Sequence, residues 1–409
     1  MKILLVNSYF ALVGGAEKMF YNTYKLLKAN GINVHIWTSD FQPYIDKGYK
    51  YIEYFTKYNG GTKNYIKNPF KYFYNFTAKN DLEKMISVVS PDIIHIHSLE
   101  TLTASILDAC KNIPIVYTMH GAGGFCPVST LMFRNQKICN SKCKKNNYLP
   151  CIFNKCANNK LEPSLRRSLL YYFNLKKYNR ISKFITPSQS LKKAFLEAEL
   201  EIDENKIKTI SNFLTDEELK ITPNYSNKGY FLYIGRLSKE KGVHYLLQAM
   251  KDLPKEIKLH IVGTGPEEDN LKQYAKENCL DNIEFLGFKT GDYVKNEYQN
   301  CIANILPCNW FEIFGMTNIE SFINGKPVIA SNIGGIPEIV EDNINGLLFE
   351  PANVEQLKEC ILKYWNNPDL AIEHGKNGYQ KGITQYSEEK YYNELMKVYE
   401  EVLNEYKNK

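Results

Sequence analysis

Residues 309 to 332, NWFEIFGMTNIESFINGKPVIASN, restrict this chain more than any other stretch. Met316 to Asn324 has the periodicity of a short helix, and Lys326 to Ser331 (KPVIAS) is an apolar run of strand length. A strand apolar on both faces needs cover on both, which a parallel sheet flanked by helices provides. With the helix opening near Gly315, the amides of Gly315, Met316 and Thr317 lack intrahelical partners. That end carries partial positive charge and suits a phosphate. Glu312 precedes the helix, and Glu320 lies about a turn and a half inside it. A sugar diphosphate docked on those amides has one carboxylate near each of its sugar rings. The competing reading is a core helix and strand with two solvated glutamates.

The same alternation starts the chain. KILLVNS (2 to 8) reads as a buried strand, and Gly14-Gly15-Ala16-Glu17 opens a helix through about Asn30, capped by Gly31. NVHIWTS (33 to 39) completes a βαβ unit. Two adjacent glycines let backbone approach a ligand and expose helix-start amides, although turn glycines are common. Strands follow at DIIHIHS (92 to 98) and PIVYTMH (114 to 120). His95 and His97 share a strand face; His97 either touches substrate at the strand's carboxyl end or is a satisfied core histidine. His120 ends its strand before the glycine-rich loop 121 to 124, and a neutral imidazole there suits a sugar hydroxyl. A second series begins at YFLYIGRL (230 to 237). Arg236 and Lys241, five apart across a turn, converge on one diphosphate. The turn Gly263-Thr264-Gly265 is weak evidence alone.

At 409 residues, with 44% hydrophobic and 23% charged residues, the expectation is a soluble protein of two domains. No apolar run approaches the ~20 residues of a membrane span, and MKILLVNSYF reads as a strand rather than a signal peptide. A cytoplasmic protein is expected. The net charge of +6 divides unevenly: residues 1 to 200 hold 28 Lys and Arg against 12 Asp and Glu, and the remainder 23 against 33. The basic half suits anionic lipid head groups or a phosphorylated acceptor; no nucleic-acid recognition motif is present. Residues 41 to 80 interleave tyrosines with lysines, either as an acceptor- or lipid-facing wall or as a solvated insertion. Residues 163 to 182 read as a basic amphipathic helix. Its stripe Leu165, Leu169, Tyr172 and Leu175 is expected in the core, and Arg166, Arg167, Lys176 and Lys177 suit a membrane surface.

Five of the ten cysteines, Cys126, Cys139, Cys143, Cys151 and Cys156, crowd into 31 residues. Their irregular spacing differs from paired zinc knuckles. Four of them as ligands of a structural zinc, an iron–sulfur cluster, or reduced thiols in a surface loop are the three readings.

The run Glu312-Ile-Phe-Gly-Met with Glu320 and GKPVIAS, the run Gly235-Arg-Leu with Lys241-Gly242, and the turn Gly14-Gly15-Ala-Glu17 together resemble the retaining GT-B glycosyltransferases of family 4 (group 1). The match is strong from 230 to 350 and looser from 41 to 160. Ile313 stands where proline is common, and Gly121 where aspartate often follows the histidine. The resemblance implies an α/β GT-B fold: two Rossmann-like, doubly wound parallel-sheet domains facing across a cleft. The expected division is an acceptor-side domain over 1–212 with a Cys-rich insertion at 126–156, a linker at 213–229, a nucleotide-sugar domain over 230–385, and a helix over 386–409 crossing back to the first domain. It further implies that His120 reaches the donor sugar and that Gly14 and Gly15 lie by the transferred sugar and phosphate. Arg236 and Lys241 become the diphosphate clamp, Glu312 holds sugar hydroxyls, Glu320 holds the ribose, and Gly263 and Leu286 lie beside the nucleoside. The expected activity is retaining, metal-independent sugar transfer from a nucleotide diphosphate sugar to a glycan or lipid-linked acceptor in surface polysaccharide synthesis, with peripheral contact at an anionic membrane. A nucleotide-sugar 2-epimerase of the same fold and a non-catalytic nucleotide-sugar-binding protein are the alternatives. A nicotinamide dehydrogenase needs G-x-G-x-x-G after the first strand, which is absent.

Overall fold

A computed structural model describes residues 1–8, 14–39, 55–56, 73–99, 102–129, 131, 139, 143–157 and 159–408. Most of the Tyr- and Lys-rich stretch lies outside these residues. The chain divides into two compact units: described residues up to Asn212 together with Glu389–Lys409, and Phe213–Glu388.

The first unit holds strands β1 (Lys2–Asn7), β2 (Asn33–Ser39), β3 (Phe55–Thr56), β4 (Ile93–Ile96), β5 (Ile115–Thr118), β6 (Lys183–Thr186) and β7 (Ile207–Thr209). They form one parallel sheet ordered β3-β2-β1-β4-β5-β6-β7. The second holds β8 (Tyr230–Ile234), β9 (Lys258–Val262), β10 (Ile283–Gly287), β11 (Asn304–Leu306), β12 (Val328–Ser331) and β13 (Gly346–Phe349), parallel and ordered β10-β9-β8-β11-β12-β13. Each sheet therefore reverses its order beside its first strand. In open α/β sheets the crevice at the carboxyl ends of the strands flanking such a reversal receives the ligand. With their flanking helices, these are the two Rossmann-like halves of a GT-B protein.

The helices that matter below are α1 (Gly15–Ala29), α2 (Leu149–Phe153), α3 (Leu161–Tyr178), α4 (Met316–Ile323) and α5 (Glu388–Lys407). β12 shows why its apolar run folds as it does. Ile329 belongs to a core with Phe231, Leu246 and Ile305, whereas Val328 and Ala330 belong to another with Leu306, Phe322 and Ile336. Successive side chains enter opposite faces, both covered, as a period of two requires. Each large aliphatic side chain so buried contributes roughly 1.5–3 kcal/mol; Ile329→Asp removes that and places a charge where nothing pairs it.

Residues 213–229 are folded onto the second unit. Phe213 and Leu214 are buried, the Leu214 amide donates to the Tyr386 carbonyl at 2.9 Å, and Thr215 caps a short helix with a reciprocal Glu218 bond. α5 belongs to the first unit and buries Tyr391, Leu395, Val398 and Val402 there.

One expectation is overturned. The stripe of α3 does not enter the core: Leu165, Leu169 and Tyr172 are 43%, 40% and 55% exposed, and of the four only Leu175 is buried. The buried face carries Ser164, Ser168 and Asn174 with Leu175 and Tyr178. Small polar side chains let α3 approach residues 151–157 closely, and the Ser164 hydroxyl is satisfied locally. Ser164 accepts from the Ala157 amide at 2.9 Å and donates to the Lys160 carbonyl at 2.8 Å.

Candidate active site

In the second unit the reversal of sheet order falls between β8 and β11, and the expected donor residues follow the carboxyl ends of these strands. After β8 come Gly235, exposed Arg236 and half-buried Lys241. After β11 the chain leads through Trp310 and buried Glu312 to Gly315, which caps α4 in a left-handed conformation (φ 92°). The Lys241 Nζ sits 2.7 Å from Glu312 Oε2 and 4.8 Å from the centre of the Trp310 ring, and Trp310 Nε1 donates to the same Glu312 oxygen at 3.0 Å. Burial works against the charge on Lys241, but Glu312 and its neighbours outweigh it and hold the amine above the ordinary lysine value. Lys241 is thus a fixed cation whose anionic partner is provided by the protein itself.

Backbone close approaches set this corner. A Cβ on Gly334 (φ 60°) would fall 2.1 Å from the Glu312 carbonyl oxygen, which also accepts from the Gly335 amide at 2.7 Å. A Cβ on Gly263 would fall 1.9 Å from the Gly235 carbonyl oxygen, so the turns after β8 and β9 touch only because Gly263 lacks a side chain. Next to that turn, β10 is bulged. Phe285 pairs with Ile261 and Gly287 with Val262, which leaves Leu286 as the extra residue with its backbone free of the ladder.

At α4, Met316 and Thr317 occupy the first turn and are half-buried. Below Gly315, both amide atoms of Asn318 are buried without a hydrogen-bond partner among the described residues. Buried polar atoms are rarely left so unless a ligand or water completes them. Glu320 is half-buried and accepts from the Tyr298 hydroxyl at 3.3 Å; burial and Glu320 keep that phenol protonated. Sequence reasoning missed Trp310, Asn318 and Tyr298. Trp310 lies two residues before Glu312, close enough to draw attention, but nothing in the sequence brings Tyr298 to Glu320.

In the first unit, Gly14 and Gly15 open α1, with the Lys18 amide bonded to the Gly14 carbonyl at 3.1 Å. His97, just past β4, and His120, just past β5, are joined by a 2.9 Å bond from His97 Nδ1 to His120 Nε2. His95 lies beside His97, ring centres 4.4 Å apart, and is held by the Tyr399 hydroxyl at 2.6 Å and Thr118 Oγ1 at 2.7 Å. Burial pushes His120 down to about 4 and His97 well below its ordinary value; burial and then His120 push His95 down to about 3. These imidazoles stay neutral at physiological pH, and the contact with His97 fixes the orientation of the His120 ring.

The five clustered cysteines line one void of about 10 Å³. All are free thiols. Burial raises Cys126 to about 11 and Cys143 to about 12, whereas the Cys156 thiol, donating to Cys151, lowers the latter to about 7. Soft sulfur donors suit zinc, yet among the described residues no three ligand-type side chains converge as a group that holds an ion.

Comparison with known proteins identifies the family and the fold. The family described as Glycosyltransferase Family 4 matches residues 13–218, about half of the chain, and Glycosyl transferases group 1 matches residues 215–381. An uncharacterized glycosyltransferase of Methanocaldococcus jannaschii is 28% identical over 409 residues, 98% of this chain and 99% of its own. The lipopolysaccharide 1,6-galactosyltransferase of Escherichia coli K12 is 28% identical over 48% of this chain and 56% of its own. Among solved structures, Anabaena HepE in complex with UDP and glucose superposes with a TM-score of 0.71 at 19% identity, covering 97% of this chain and 99% of that one. Sucrose-phosphate synthase of Thermosynechococcus elongatus gives 0.75 at 18% identity over 99% and 100%.

Proposed function

The chain belongs to glycosyltransferase family 4, and on that premise we propose that it moves a sugar from a nucleoside diphosphate to a glycan or lipid-linked acceptor, retaining anomeric configuration and needing no divalent metal. The reading is carried by one observation: Lys241, Glu312 and the start of α4 meet at the sheet reversal of the second unit. In it, the donor diphosphate lies on the free amides of Gly315, Met316 and Thr317, with Arg236 and Lys241 neutralising the charge that grows on the leaving group. As phosphate draws Lys241, the Glu312 carboxylate is released toward the sugar hydroxyls. Glu320 takes the ribose, and Gly263 and the bulged backbone at Leu286 adjoin the base. Gly14, Gly15 and His120 are assigned to the transferred sugar and phosphate.

With no carboxylate assigned as nucleophile, attack comes on the same face, assisted by the departing phosphate. Curated relatives named for lipopolysaccharide and O-antigen chains support a surface-polysaccharide acceptor, and a lipid-linked acceptor brings the basic first half to a membrane. Incubation with UDP-, GDP- and ADP-sugars tests the proposal. We expect nucleoside diphosphate release from at least one donor, unchanged by EDTA, and a product of the donor's anomeric configuration. Strict dependence on added magnesium or manganese, or an inverted product, overturns it.

A further inference from the structure

We infer that the exposed face of α3, with the end of α2, is a docking surface for an anionic lipid bilayer. This rests on the peripheral-contact part of the function proposed above, not on its transfer chemistry. α3 is amphipathic the wrong way round for a soluble protein. It buries Ser164, Ser168 and Asn174 and presents Leu161, Leu165, Leu169, Tyr172 and Phe173 to solvent, between 40% and 61% exposed. At the helical period these five positions fall within a sector of about 120°. α2 packs against α3 and adds Phe153, 76% exposed. Scattered surface apolar residues need no explanation, but a contiguous stripe on one helix marks an interaction site.

Charge selects the occupant. Residues 144 to 180 contain nine Lys and Arg against a single acid, Glu162; of the nine, Lys144 and Lys145 pair with Glu199, Arg166 with Glu162, and Lys177 and Arg180 with Asp108. Lys176 stands inside the apolar sector, and Arg166, paired with Glu162 at 3.6 Å, flanks it on the helix. Long cationic side chains beside leucine, tyrosine and phenylalanine suit a head-group boundary, where the apolar side sinks in and the cations meet lipid phosphates. No helix among the described residues is long and apolar enough to cross a membrane, so the contact lies in the surface plane.

The test uses the full chain without nucleotide sugar, sedimented with vesicles of phosphatidylcholine alone or with about one-third phosphatidylglycerol. Binding is expected only to the anionic vesicles and falls as salt rises. Leu165→Ser with Leu169→Ser, and separately Lys176→Glu, are expected to weaken it by at least about tenfold with melting temperature unchanged. Wild-type chain that ignores anionic vesicles, or variants that bind as it does, overturn the inference. So does a dimer in solution that the leucine pair dissolves while vesicle binding is absent, which makes a second copy the occupant. Nucleoside diphosphate release assayed without vesicles reads the chemistry separately: its loss alone counts against the proposed function, and lost vesicle binding alone counts against this surface.

Discussion

Lys241 and Glu312 neutralise each other at 2.7 Å before any donor arrives, so removing either has two consequences. In the proposed site, Lys241→Ala takes a cation from the leaving group and strands a buried carboxylate, and Glu312→Ala frees the cation but loses the proposed sugar contact. We expect each to lower turnover by about 10²–10³, read as nucleoside diphosphate release, and wild-type turnover in both variants refutes the site. Gly334 makes a different demand. Its φ of 60° and the Glu312 carbonyl at 2.1 Å from any Cβ leave no room for alanine. Gly334→Ala is expected to destabilise the protein by roughly 2 kcal/mol or more in urea unfolding and to weaken UDP or GDP binding in titration calorimetry, because relief of the clash displaces Glu312. Arg236, Lys241, Glu312 and Glu320 were singled out in the sequence by the motifs that carry the family resemblance, and of these the structure brings Lys241 and Glu312 together. Trp310, Asn318 and Tyr298 were not singled out, since an aromatic or an amide in an apolar stretch reads as core until its partners are known.

Single elements carry a second group of consequences. α5 is fastened to the first unit by polar bonds as well as apolar burial. Lys183 Nζ, nearly inaccessible, reaches Glu401 at 2.7 Å and Glu405 at 2.8 Å, and Tyr399 holds His95. Lys183→Ala is expected to lower the melting temperature clearly more than Lys208→Ala, whose cation is half exposed and, among the described residues, pairs with Glu401 alone. For the cysteine void, an ion requires four sulfurs to close in by side-chain rotation. Atomic absorption on purified protein decides: about one zinc per chain upholds the sequence expectation, and metal-free protein removes it. The α3 misreading has a physical source. Periodicity shows that a helix has two unlike faces, but not which face meets the protein.

Across the whole molecule, the buried histidines set an acid limit. His95 and His120 are held at about 3 and about 4, and His97 well below the usual value, whereas in the unfolded chain each binds a proton below about 6.5. The unfolded state therefore takes up more protons as pH falls from about 6.5 toward about 4, so stability is full above that window and lost within it. Urea midpoints at pH 7.5 and 5 should differ, with the difference reduced in His97→Asn; equal midpoints in the wild type contradict the buried neutral cluster. The sequence by itself determined the alternation of strands and helices, the parallel sheets and the donor motif, because strand runs, glycine turns and charge offsets act over a few residues. Tertiary structure alone decided which face of α3 turns outward, that Lys241 spends its charge on Glu312, that His97 aims His120, and that five thiols share one void. Each of these depends on neighbours distant in sequence, and burial and charge pairing become definite only once those neighbours are placed.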